Sequence, residues 1–311
     1  MRSAARIVVV LGLLVCYGWG CSGTKSALHA IPPSLLTLPA LKNHVTRIAV
    51  LLTHTPETVI GREVGALYVT QLVEAMRKED RHLQLVTAQD PELPVFFADL
   101  LRPGAQMPDA FDLAAAARSA GYQAWAIARI ESIRTHEERT GILWFRRTKH
   151  IIFFDLTLAV YDAFTGAKLS DDVIESSTKI SAEEFEAFQT GAWADLEDLR
   201  EAITDQSADL GEKVAKTLER KRWCAAVVKV QDDRVFLASG SRVGMGAGDR
   251  LAVLDGQRTI QGQNGERFIV PGFEVGQIEI VHVADEMSEG KVLDQQGGNK
   301  IQSGDIAVPI K

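Results

Sequence analysis

The chain has 311 residues, with 41 acidic against 34 basic side chains and a net charge of −7. That length suits one large or two modest domains. The acidic balance argues against a nucleic acid as partner, because phosphate binding calls for a concentrated basic surface.

Arg2 and Arg6 precede an apolar run from Ile7 to Val15, and small residues then surround Cys21. Basic, apolar, then small is the plan of an export leader, too short for a bilayer span of about 20 apolar residues. Loss of residues 1–20 removes Arg2 and Arg6 but no acid, which moves the net charge from −7 to −9. Cys16 is a poorer boundary than Cys21, since Val15 precedes it and the apolar run would end early. An ordinary secretory leader cut nearby, with Cys21 incidental, is the competing reading. Cys224 is the remaining cysteine, so unmodified mature thiols offer no intramolecular disulfide. It follows Trp223 and precedes Ala225-Ala226-Val227-Val228, and is expected to be a small buried hydrophobe.

Residues 21–44 read as a tether: Ser22, Gly23, Thr24, Ser26, Pro32-Pro33 and Pro39 break any periodicity. Ile48-Ala49-Val50-Leu51-Leu52 reads as a strand covered on both faces. From 62 to 78, Val64, Leu67, Tyr68, Leu72, Ala75 and Met76 recur at helical spacing, with Arg77 and Lys78 at the cation-favouring end. A strand is expected at 83–87, a loop over the proline-containing 88–107, and a helix after Asp109 through the alanine run to Gly121. A strand follows over 122–130. Another covers 150–161, with Phe154, Leu156, Leu158 and Val160 on one face, and turns at Asp162-Ala163-Phe164-Thr165-Gly166 into an antiparallel partner over 168–178. Ser181 and Glu184 form a capping-box signature, and a long helix is expected over 193–218, with a possible break near Ser207 and an acidic solvated face. Beyond Arg222, short β-like runs at 225–230, 235–238, 250–254, 275–283 and 306–310 are punctuated by glycine. The expected fold is therefore an α/β (α+β) sandwich domain with a mixed sheet over 45–222. A small all-β barrel-like or sandwich domain follows over 223–311.

No catalytic pattern emerges. Gly240-Ser241-Arg242-Val243-Gly244-Met245-Gly246-Ala247-Gly248 lacks the Gly-Lys-Ser/Thr ending of a phosphate loop and leads into a strand, so it reads as a turn. His29, His44, His54, His82, His136, His150 and His282 show no metal-ligand spacing, and no Gly-x-Ser-x-Gly occurs. Asp171-Asp172 and Glu183-Glu184 have ordinary places beside a hairpin and at a helix start. No catalytic residue, metal or cofactor is expected, and the chain is read as non-enzymatic. One patch stands out: Ile142, Leu143, Trp144 and Phe145, followed by Arg146-Arg147, are either a sheet edge folded into the core or a contact surface for a partner or membrane.

Gly18-Trp19-Gly20-Cys21 resembles the lipobox of bacterial lipoproteins. That resemblance implies a diacylglycerol on the Cys21 thiol, and Ser22 resembles the following residue that permits sorting to the outer membrane. Val45 to Leu51, Ile60-Gly61-Arg62-Glu63-Val64, Gly121 to Ile130 and the 154–166 strand and turn resemble the amino-terminal domain of a group of envelope lipoproteins. These are related to the curli secretion protein, the penicillin-binding-protein activator and the Tol-Pal periplasmic component. Gly244 to Asp249, Gly272 to Ile280 and Gly304-Asp305-Ile306 resemble the carboxyl-terminal β domain of the flagellar assembly protein T family. The resemblance implies a lipid-anchored protein on the periplasmic face of the outer membrane that binds envelope proteins through both domains. An oligomeric secretion channel of the curli type is the alternative, and a homo-oligomer is compatible with both. A pore needs strictly alternating strands of about ten residues; only 154–161 comes near.

Overall fold

The computed structural model describes residues 44–310 apart from 103, 142, 143, 145, 146, 296, 297 and 299. Its first half runs β1 (Thr46–His54), α1 (Val59–Glu79), β2 (Leu83–Val86), α2 (Val95–Leu100), α3 (Ala110–Ser119), β3 (Ala124–Thr140), β4 (Arg147–Asp162), β5 (Lys168–Ile180), α4 (Ala182–Thr190) and α5 (Glu197–Glu219). The strands form one mixed sheet in the order β2-β1-β3-β4-β5. β1 lies parallel to β2 and β3, while β3, β4 and β5 are antiparallel neighbours.

α1 and α5 cover one face. Val64, Tyr68, Leu72 and Met76 of α1, with Leu199, Ile203, Leu210 and Val214 of α5, bury against Ile48, Val50, Ala126, Ile130, Phe154, Leu156 and Val160 of the sheet. Gly211 lets the two helices close on each other, since a Cβ there would sit 2.6 Å from Ala75 Cβ and 2.7 Å from the Leu72 carbonyl. Thr58 caps α1 by accepting from Gly61 N–H at 2.9 Å, and Ser181 and Glu184 complete a capping box on α4.

Three expectations need correction. α2 lies in the segment read as a loop; six residues are too few for a period to show, although Phe97 and Leu100 are buried. α5 is unbroken at Ser207, whose hydroxyl donates to the Ile203 carbonyl at 2.5 Å and so is satisfied inside the helix. β3 continues ten residues beyond Ile130, because pairing with β4 holds polar sequence extended as far as Thr140↔Arg147 after a register shift at Ile130/Ser132.

The second half is a closed antiparallel barrel with strand order β11-β12-β7-β6-β13-β8. Its strands are β6 (Ala225–Gln231), β7 (Arg234–Leu237), β8 (Arg250–Leu254), β11 (Glu274–Val283), β12 (Ser288–Gln295) and β13 (Ile306–Pro309), with β9 (Thr259–Gln261) and β10 (Arg267–Ile269) as a separate hairpin. Closure removes open strand edges from the barrel itself. β12 is absent from the sequence expectation because Ser-Glu-Gly-Lys-Val-Leu-Asp-Gln is too polar to read as a strand; pairing with β11 and β7 holds it.

The two halves share a core. Leu251, Val253 and Ala307 point into the barrel, whereas Ala252, Leu254, Ile306 and Val308 point outward against the sheet. There they meet Ala49, Leu51, Trp125 and Ile127 on the face opposite α1 and α5, together with Phe97, Leu113 and Ala117. β8 and β13 are near-continuous apolar runs for this reason: both of their faces are covered.

Candidate functional site

Among the described residues, the far end of β3, β4 and β5 is an exposed part of the sheet. β1 stops pairing with β3 at His54↔Arg129, while β3 goes on to Thr140 against β4. At about 3.4 Å per residue this ribbon projects roughly 35 Å past the last β1 pairing. On the side of β3 away from β4, no described strand pairs beyond Arg129, and none pairs with the outer side of β5. Asp171, Val173, Glu175, Ser177 and Lys179 line one exposed side of β5, and Val173 is 62% exposed. On the same sheet face, Ile151 and Phe153 are half-buried, with the Arg134 guanidinium 5.9 Å from the Phe153 ring centre.

Trp144, at the turn between β3 and β4, is 88% exposed, so it is not folded into the core. Exposed Arg139, Arg147 and Lys149 stand on the strands that lead into the turn. Ile142, Leu143 and Phe145 lie outside the described residues, as do Cys21 and Ser22. The alternation of β4 serves the domain core: Ile152, Phe154, Leu156, Leu158 and Val160 are buried under the helices.

Two polar constellations that motif reading did not find stand at the junction of the halves. Arg47, on the buried face of β1, reaches Glu286 at 2.7 Å and Glu92 at 3.3 Å, while Arg242 meets the same two acids at 2.8 and 2.7 Å. The Arg47 guanidinium also lies 4.8 Å from the centre of the Tyr122 ring. Burial pushes the Tyr122 hydroxyl up to about 12, with Arg47 opposing and both acids reinforcing the shift. Breaking a fully buried ion pair from one side costs about 3–5 kcal/mol; here the cost is smaller, because Glu92 and Glu286 keep 42% and 48% of their side-chain surface. The signal available in sequence was a lone arginine on a strand face otherwise made of Ala49 and Leu51.

The second constellation is Lys221 with Asp162, 3.1 Å apart and nearly buried. Burial alone would pull the Lys221 ammonium down, but Asp162 outweighs it and holds the group above the usual lysine range. Beside them Cys224 is half-buried rather than fully enclosed, and burial pushes its thiol up. Gln123 clips the same place by donating to the Cys224 carbonyl at 2.5 Å and accepting from its N–H at 3.2 Å.

The carboxylate pairs weighed in sequence have structural partners. Asp171 pairs with Lys168 at 2.7 Å, and Glu184 accepts from Ser181 N–H and Asp198 N–H. Gly240 to Gly248 is a turn region with a short 3-10 helix, Ser241–Val243. Among the described residues no group of three His, Cys, Asp or Glu side chains is arranged to hold a metal ion. No described helix is long and apolar enough to cross a membrane.

No family model matches the sequence, and no curated protein does. Solved structures similar in part include a hypothetical protein from Chlamydia trachomatis, 10% identical, covering 56% of this chain and 98% of that one with a TM-score of 0.36. A minor lipoprotein from Acinetobacter baumannii is 11% identical over 55% of this chain and 93% of its own, with a TM-score of 0.29. A lipoprotein from Neisseria meningitidis is 14% identical over 48% and 95%, with a TM-score of 0.28. Identities and scores this low assign neither a family nor a role.

Proposed function

We propose that this chain is a non-enzymatic lipoprotein of the bacterial envelope. Lipid on Cys21 holds it to the periplasmic face of the outer membrane, and it assembles or stabilises a protein complex there. The observation that carries the protein-binding part is the three-stranded ribbon with a free edge on each side, since unpaired backbone N–H and C=O groups are templates for another chain. The leader, Gly20-Cys21 and Ser22 support the anchor. The resemblance to curli-secretion-related and flagellar-assembly-T-like domains points the same way, with partners bound through both halves.

Two measurements test this. Cys21→Ser should move the protein from the membrane fraction to the soluble periplasm, and unchanged membrane attachment overturns the anchor. A photocrosslinker at Val173 or Ser177 should give one recurrent envelope adduct that the same probe at Lys213, on α5, does not. Identical adduct patterns overturn the ribbon as the contact. A second reading, an oligomeric channel subunit, is favoured by the two opposite free edges, which permit head-to-tail repetition. It requires a closed ring in detergent, and a monodisperse monomer by native mass measurement excludes it.

A further inference from the structure

α3 ends against the barrel, and its last turn leaves an open groove of about 450 Å³ beside β6 and the loop ahead of β13. Arg118, Ser119, Val227, Val228, Ser303 and Gly304 line it. Nη1 of Arg118 is shut off from solvent and has no hydrogen-bond partner. Among the described residues no carboxylate pairs with this guanidinium, whereas Arg47, Arg242 and Arg267 each meet two. Burial pulls Arg118 below the usual guanidinium range, and no neighbouring acid offsets it. A guanidinium stays charged and carries five donors, so partial burial without an acceptor is costly.

The end of α3 does not remove the difficulty. Its dipole favours a cation there, but the carbonyls of Ala116, Ala117 and Arg118 already accept from Ala120, Tyr122 and Gly121 N–H. Both serine protons are also committed: Ser119 donates to the Ala115 carbonyl at 2.8 Å and Ser303 to the Val228 carbonyl at 3.0 Å. Their oxygens are left to accept. The groove thus offers one forked cation and two acceptors.

We infer that this groove binds a small ligand bearing an oxyanion, a carboxylate or phosphate group, which pairs with Nε and Nη2 of Arg118, the two nitrogens not enclosed with Nη1, while the ligand's own N–H or O–H donors meet Ser119 and Ser303. The fork of Arg118 matches two oxygens of either group. The test titrates the full chain with acetate, inorganic phosphate and chloride at constant ionic strength, read by the side-chain NMR signals of arginine. Acetate or phosphate should saturate in roughly the millimolar range, as one charge-assisted pair supports for so small a probe, and chloride should not. Tighter acetate assigns a carboxylate ligand; tighter phosphate assigns a phosphorylated one. Arg118→Gln should weaken binding at least about tenfold with at most a small drop in the thermal midpoint, since only the helix-dipole interaction and no hydrogen-bond partner is lost. Arg118→Lys, which keeps the charge and loses the fork, should fall between and serves if the Gln variant does not fold. Shifts that fail to saturate, that chloride reproduces, or that Arg118→Gln retains in full overturn the site.

Discussion

At the residue scale, side chains at the junction of the two halves decide most of what is specific to this protein. His44, the first described residue, stacks on Trp223 with ring centres 4.2 Å apart, and Val45 and Trp223 are tied through a 3.2 Å bond from the indole N–H to the Val45 carbonyl. The start of the described body is therefore fixed to the barrel. Burial lowers the His44 pKa, with Asp249 partly opposing. A base with a depressed folded pKa contributes stability above its unfolded value of about 6.5, and loses it as pH falls through the folded one. The thermal midpoint should therefore drop between pH 7.5 and pH 5, and drop less in His44→Phe. Identical slopes for the two proteins would show that His44 carries none of the dependence. Arg47 belongs to the same scale: its place in an apolar strand was legible, but Glu92 and Glu286 lie 45 and 239 positions away, and no local pattern names them.

At the element scale, the segments with strong periodicity are those the sequence discloses. α1, α3, the α4 capping box and the buried side of β4 all follow from local spacing and caps. The elements that escape are held by neighbours rather than by their own residues: the outer half of β3 by β4, and β12 by β11 and β7. Gly121 shows local and tertiary demands meeting at one position. It sits at φ +79° just after α3, and an added Cβ would stand 2.7 Å from the Ala238 carbonyl of the barrel. Gly121→Ala therefore meets a strained backbone and a clash together, and should cost about 2–3 kcal/mol in denaturant unfolding. A loss below about 1 kcal/mol would mean that the barrel moves away at little cost, so that the contact is not tight.

At the scale of the whole molecule, the two halves are joined by a continuous apolar layer, the Arg47–Glu286 and Arg267–Asp109 ion pairs and the Gln123 clip. Calorimetry should accordingly record one cooperative unfolding transition for the described body. Two resolved transitions, with a barrel that melts on its own, would contradict this coupling. The proposed envelope role uses the same arrangement, because a rigid body lets a tether at one place orient the projecting ribbon at another.

The sequence alone determined the mixed α/β first half and the β-rich second half, since each is written in local periodicity, capping or short-range composition. Only the tertiary structure decided that the second half closes into a barrel and that its outer face completes the core of the first. The same holds for the exposure of Trp144 and, among the described residues, for the lack of a carboxylate paired with Arg118. These depend on which distant surfaces meet and which charges are left over once they have met, and sequence neighbours do not record that.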